Sequence, residues 1–257
     1  MSYIKQTIDC YLNPRWIIFI LIVLTYSFFV KKKLVTTAYI NNVSFNMWDT
    51  AIAILCDPFF IIYFLLPVWI TISINLIHSI SNENYLIRLS SYYKWLKYSL
   101  FKSVIYLIVL QIFLVSITLL VSFQTFNLSN IWSEFSLVNL STNYTSYYLS
   151  NSFLTPFSTI ILQVLYLTLF LFIISGLISL FNMLFRSTHL NYAFGVVTWV
   201  ASIISFKIFM NNIYLNITNY VSVPFTYNAF KSLLWPTALY ILFILIIVLV
   251  GRFKKCF

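Results

Sequence analysis

The chain has 257 residues, of which 61% are hydrophobic and only 8% charged, with a mean hydropathy of +0.94. A soluble domain carries about 25% charged residues, so water cannot cover this surface and lipid must take part of it. Fifteen Lys and Arg against five Asp and Glu give a formal charge of +10. The basic residues fall in the breaks between apolar runs, so they read as flanks of membrane helices facing anionic head groups, not as a nucleic-acid surface.

A helix needs about 20 apolar residues to cross the hydrocarbon layer, and the chain offers about six such runs. A polar segment with Lys5, Asp9 and Arg15 precedes the first, which predicts a span over 16–34. No small-residue cleavage site follows; Lys31-Lys32-Lys33 and more apolar sequence come next, so the run reads as a retained helix and not a signal peptide. Residues 35–56 are mildly apolar but broken by Asn41, Asn42, Asn46 and Asp49, which suits an outer loop with an interfacial or re-entrant piece. Asp57 can cap a helix whose first turn accepts Pro58. This opens a second span over 58–78, which Pro67 should kink.

A basic connection, 79–103, leads to a third span over 104–123. Residues 124–155 are rich in Asn, Ser, Thr and Tyr, contain Glu134 and no Lys or Arg, and read as an extracellular loop. Thr155-Pro156 repeats the cap-then-proline signal and opens a fourth span over 156–181. A tight connection with Arg186 and His189 leads to a fifth span over 192–210, and the sixth covers 232–250, with Pro236 near its start. The expected fold is an all-α, polytopic transmembrane helical bundle, a single transmembrane domain over 1–257.

Lys and Arg accumulate on the cytoplasmic side of membrane proteins. With both termini inside, the inner side holds Lys5, Arg15, Arg88, Lys94, Lys97, Lys102, Arg186, Arg252, Lys254 and Lys255, against Lys31–Lys33, Lys207 and Lys231 outside. The three lysines at 31–33 run against this orientation and the other positions support it. With three glycines in the chain, helix contacts are expected to rest on small residues such as Ser175, Gly176 and Ser179.

Few residues suggest chemistry. Cys10, Cys56 and Cys256 are too scattered for a disulfide framework or a metal site. His78 and His189 lie near span ends with no acid or cysteine at ligand spacing, and read as boundary or packing residues. There is no Gly-x-x-x-x-Gly-Lys-Ser/Thr phosphate loop, and no paired catalytic set inside the spans. No enzyme activity, metal or cofactor is therefore expected of the chain itself. All five acids fall at span ends or in loops, and Lys207 reads as a snorkelling residue, which argues against an ion-coupled pump. Asn-x-Ser/Thr sites at Asn42, Asn127, Asn139, Asn143 and Asn216 would be glycosylation acceptors in a eukaryotic secretory membrane, and also arise by chance in so Asn-rich a chain. Lys254-Lys255-Cys256-Phe257 has the form of a dilysine retrieval signal, and positive-inside flanking explains the same lysines. The Ile, Asn, Lys, Phe and Tyr bias suits a bacterial genome poor in G and C, and hence a multi-pass protein of the bacterial plasma membrane.

The informative stretch is 82–98. At 3.6 residues per turn, Tyr85, Leu86, Leu89, Tyr92, Tyr93 and Leu96 share an apolar face, with Arg88, Ser91, Lys94 and Lys97 on the other side. This predicts an amphipathic helix along the inner interface, its aromatic side in the head groups and its basic side toward water or a partner. Together with six spans and cytoplasmic ends, this layout resembles the ABC-2 class of ABC exporter permeases, including small bacterial ones for peptide export or self-protection against bacteriocins. The family pattern between spans two and three is loose, an acid, an Arg, then aromatic and Lys residues, and Glu83, Arg88, Trp95 and Lys97 match it in kind.

The resemblance implies an ATPase-coupling surface formed by Glu83, Arg88, Lys94, Trp95 and Lys97. It also implies a separate ABC ATP-binding subunit that binds the ATP, a second permease copy or a related permease, contact with membrane lipid, and a peptide or other amphipathic cargo. The alternative is a membrane protein without transport of its own, such as an immunity, sensor or assembly factor.

Overall fold

The computed structural model describes residues 14–81, 91–123, 130–138, 147, 149–150 and 154–253. Among them every regular element is helical and there is no strand. The elements are α1 (Pro14–Ile40), α2 (Met47–Leu55), α3 (Pro58–Ile80), α4 (Tyr92–Ser122), α5 (Glu134–Leu137), α6 (Pro156–Phe185), α7 (Thr188–Lys207), α8 (Thr218–Val221), α9 (Val223–Phe230) and α10 (Leu234–Phe253). Five of these, α3, α4, α6, α7 and α10, are long and apolar enough to cross a membrane. The chain is therefore an all-α, multi-pass bundle with about five candidate spans where the sequence suggested six. The sixth expected span, 16–34, falls within α1, a helix of 27 residues that carries Lys31, Lys32 and Lys33 after its apolar run.

Both cap-then-proline signals form helix starts. The Asp57 carboxylate accepts from the Phe59 N–H at 2.9 Å, and Pro58 takes the first helical position. Thr155 makes a reciprocal capping box with Ser158, again followed by proline. Pro67 follows a π-helical turn. Residues Ile61–Leu65 form this turn within α3, closed by the Leu66 N–H on the Ile61 carbonyl. Continuing that spacing, the Ile62 carbonyl would look to residue 67, and proline has no N–H to give it. The Trp199 indole of α7 supplies the donor instead, 3.0 Å from the Ile62 oxygen. A carbonyl orphaned in one span is thus satisfied by its neighbour, as a membrane interior requires.

The long helix α6 lies at the centre. Over five consecutive residues it offers small side chains to three partners. Ser175 pairs with Ser73 of α3 at 3.1 Å, and Ser179 with Ser99 of α4 at 3.0 Å. Gly176 faces α10 so closely that a Cβ there would come within 2.7 Å of Ile247 Cδ1. Trp69 of α3 donates its indole N–H to the Leu171 carbonyl of α6 at 2.7 Å. By contrast α7 and α10 turn large apolar residues such as Val197, Val200, Ile241 and Leu245 outward, as lipid-facing helices can.

These pairings sort the bundle into two ends. One end gathers the last turns of α3, α6 and α10 and the first turns of α4 and α7; it is called the inner end, following the charge argument. The outer end gathers α2, α5, α8 and α9. There Asp49 of α2, almost fully buried, accepts from Ser133 Oγ at 2.7 Å, Ser136 Oγ at 2.5 Å and the Asn46 N–H at 2.9 Å. Glu134 accepts from the Ser44 N–H at 2.9 Å. Buried Lys31 donates to the Val121 carbonyl at 2.7 Å, in the last turn of α4, where the helix dipole favours a cation. A lysine that breaks the apolar run of α1 thereby finds a defined partner.

Candidate functional site

At the inner end α4 begins at Tyr92, three turns earlier than the expected third span, and runs unbroken for 31 residues. Residues 92–98 are therefore the first turns of a long helix, not part of a separate surface helix. Their apolar side meets protein. Trp95 and Leu96 are each 1% exposed, although the periodicity suggested that this face would enter the head groups. The Trp95 indole donates to the Ile80 carbonyl at the end of α3, at 3.3 Å. Leu96 packs on Gly251 of α10, where a Cβ would come within 2.3 Å of Leu96 Cδ2 and the leucine would have to move aside. Lys94 and Lys97 are exposed on the opposite side of the same turns. Of the five residues expected in the coupling surface, Lys94, Trp95 and Lys97 thus share the start of α4, while Glu83 and Arg88 lie outside the described residues.

A cation–aromatic belt surrounds this start. The Arg186 guanidinium, from the α6–α7 connection, sits 5.0 Å from the centre of the Tyr92 ring. The Arg252 guanidinium of α10 lies 5.4 Å from the Tyr93 ring, and Lys102 Nζ lies 5.1 Å from the Tyr98 ring. Such contacts hold a cation at a surface while its charge stays available. Arg186 occupies the left-handed region, with φ of 48°, where it terminates α6 through its own N–H on the Asn182 carbonyl at 2.8 Å. That backbone turn aims the guanidinium back over α4.

Behind the belt lies a pocket of about 110 Å³ between the ends of α3, α4 and α6, lined among others by His78, Ser81, Tyr92, Trp95, Asn182 and Arg186. Its floor is a polar relay. Asn191 Nδ2 donates to Asn182 Oδ1 at 2.6 Å, and Asn182 Nδ2 donates to Ser81 Oγ at 2.9 Å. Ser81 Oγ in turn donates to the Ile77 carbonyl at 2.7 Å. His78 Nδ1 pairs with Thr188 Oγ1 at 3.1 Å. His78, read from sequence as a boundary residue, therefore joins α3 to α7. Asn182 and Asn191 were missed; both are ordinary polar residues near helix ends, and only the fold brings them together.

Elsewhere, Gln111 is buried within the α4 span and neither of its amide atoms has a hydrogen-bond partner. An open groove of about 430 Å³ runs beside α7, lined by Thr198, Ala201, Ser202 and Tyr220 among others. Among the described residues no group of three or more His, Cys, Asp or Glu is placed to hold a metal ion.

No protein-family profile matches the chain, and neither a curated protein nor a solved structure is found to resemble it. What fold and site define is the class: a polytopic helical membrane protein, of a build consistent with transport, whose inner end is basic and aromatic.

Proposed function

We propose that this chain is the permease subunit of an ATP-driven exporter of the ABC-2 type. In this reading it moves an amphipathic peptide or other hydrophobic cargo out of the cell. A separate ABC ATP-binding subunit supplies hydrolysis, and a second permease copy or a related permease completes the unit. One observation carries the reading. Lys94 and Lys97 are exposed on the same turns whose other side, Trp95 and Leu96, is locked into α3 and α10. Force applied by a partner to the two lysines would pass through those buried side chains into two further spans. It would also travel along α4, which is continuous to the outer end. Packed side chains and rigid helices are the physical route for such coupling.

A role without transport, as an immunity, sensor or assembly factor, draws on a different observation. The middle of the bundle is filled by apolar side chains such as Trp69, Leu107 and Leu171, all in one buried cluster. The two readings separate on the effect of charge at the start of α4. In the exporter, Lys97→Glu lowers ATP-dependent transport and the stimulation of the partner ATPase by about tenfold, with insertion and melting unchanged. Normal ATP-dependent transport in Lys97→Glu and Lys94→Glu proteins would count against the coupling surface and favour the second reading.

A further inference from the structure

The inner-end pocket has a chemical character that the exporter reading does not use. Arg186, His78, Tyr92 and Trp95 are among its lining residues. Arg186 offers a planar fork of donors suited to phosphate oxygens, and its guanidinium lies over the Tyr92 ring among the residues lining the pocket. Asn182 Nδ2 uses one of its two hydrogens on Ser81. All three acids among the described residues, Asp49, Asp57 and Glu134, belong to the outer end. Nothing described near the pocket therefore competes with an incoming anion; Glu83 lies outside the described residues. The pocket volume of about 110 Å³ gives room for a compact group such as a phosphate.

Depth decides which phosphate. The pocket sits where the candidate spans α3, α4 and α6 end, level with tyrosines that carry cations, and basic pockets of this kind between membrane helices take lipid head groups. The geometry points to a binding site for the phosphate of an anionic phospholipid of the inner leaflet. Arg186 makes the principal charge-assisted contact, His78 the second contact, and Tyr92 and Trp95 flank the glycerol region. A lipid held there would bridge the last turns of α3 and α6 to the first turn of α4, the junction already joined by Trp95 and Ile80.

The test uses the full chain, purified in mild detergent and exchanged into bilayer discs of equal phosphatidylglycerol and phosphatidylcholine. Lipid retained on re-extraction is then counted by native mass spectrometry. The wild-type protein should keep phosphatidylglycerol in preference to phosphatidylcholine. Arg186→Gln should reduce that retention by about tenfold and His78→Gln by a smaller factor, while Arg186→Lys, which keeps the charge and loses the fork, falls between wild type and Arg186→Gln. Thermal melting of each variant in neutral detergent establishes folding. In a parallel arm, inorganic phosphate is titrated in neutral detergent. Protection of wild type but not of Arg186→Gln, without lipid retention, would keep the phosphate chemistry and overturn the lipid source. Equal retention by folded Arg186→Gln and His78→Gln proteins, or no preference in the wild type and no effect of phosphate, would overturn the site. None of these readouts involves an ATPase, so failure here and failure of the exporter reading are separate results.

Discussion

The two ends of the bundle treat their charged groups differently. At the outer end Asp49, Glu134 and Lys31 are hydrogen-bonded within the protein, while Lys32, Lys33, Lys207 and Lys231 stay exposed. Asp49 is buried under three donors, Glu134 clasps Ser44, and Lys31 caps the carbonyl end of α4. At the inner end the described charges are all positive. Arg186, Arg252 and Lys102 rest on tyrosine rings, and Lys94 and Lys97 reach outward. A satisfied network of short hydrogen bonds fixes one arrangement, whereas a cation held against an aromatic face is attracted without a fixed hydrogen-bond geometry. The outer end is held by buried hydrogen bonds, and the inner end is basic and aromatic.

Mutations can break this contrast at either end. The largest effect is expected from Trp95→Ala, which removes a fully buried indole and its bond to Ile80. Loss of such an aromatic costs about 3–5 kcal/mol. Unfolding in detergent followed by intrinsic fluorescence should show it, with faster amide exchange at the start of α4 and little change at residues 130–138. Asp49→Ala should do the reverse. It strands two serine hydroxyls and the Asn46 N–H, costs about 2–3 kcal/mol, and should speed exchange at 130–138 while leaving α4 near Tyr92 protected. Loss of protection at both ends in either variant would dissolve the contrast.

Gln111 sharpens it from the middle. Its two orphaned amide atoms are a cost, so Gln111→Leu should stabilise the bundle by about 1 kcal/mol. If the residue serves transport, export should fall in the same variant; a more stable protein with unchanged export would mark the glutamine as idle. The smallest effect concerns pH. The Ser44 N–H and hydroxyl hold the Glu134 carboxyl below its usual range. Its contribution is therefore complete above about pH 4.3, the ordinary glutamate value, and disappears as pH falls through the lowered folded value. Burial moves Asp49 the other way, upward. Amide exchange at Ser44, followed from neutral pH downward, should stay slow until Glu134 protonates, and Glu134→Gln should abolish the pH step.

Much of the helical plan was legible in the sequence because it is local. Asp57-Pro58 and Thr155-Pro156 carry their own capping chemistry, and Ser175, Gly176 and Ser179 stood out as small residues in an apolar run. The periodicity of 92–98 set Leu96 apart from Lys94 and Lys97, and Leu96 is buried where the lysines are exposed. Trp95, grouped with the lysines in the expected coupling surface, is buried as well, and the periodicity did not place it on that face. It could not say whether the apolar face meets lipid or protein, since both select the same side chains. The remaining features depend on residues far apart in the chain. Ser81 and Asn182 are 101 positions apart, Asp49 and Ser136 are 87, and Ile62 and Trp199 are 137. A π-helical turn ahead of a proline, answered by an indole in another span, leaves no local signal. The same holds for Lys31, which looks like a break in a span until the last turn of α4 is beside it.

The central claim, that the start of α4 receives an ATP-driven partner, is tested most directly by affinity purification from gently solubilised membranes of the native host. The account predicts that a polypeptide with the phosphate-loop motif of an ATPase co-purifies in stoichiometric amount with the wild-type chain and is lost from a folded Lys94→Glu, Lys97→Glu double variant. Recovery of the wild-type protein alone, or retention of the ATPase by the double variant, would contradict it.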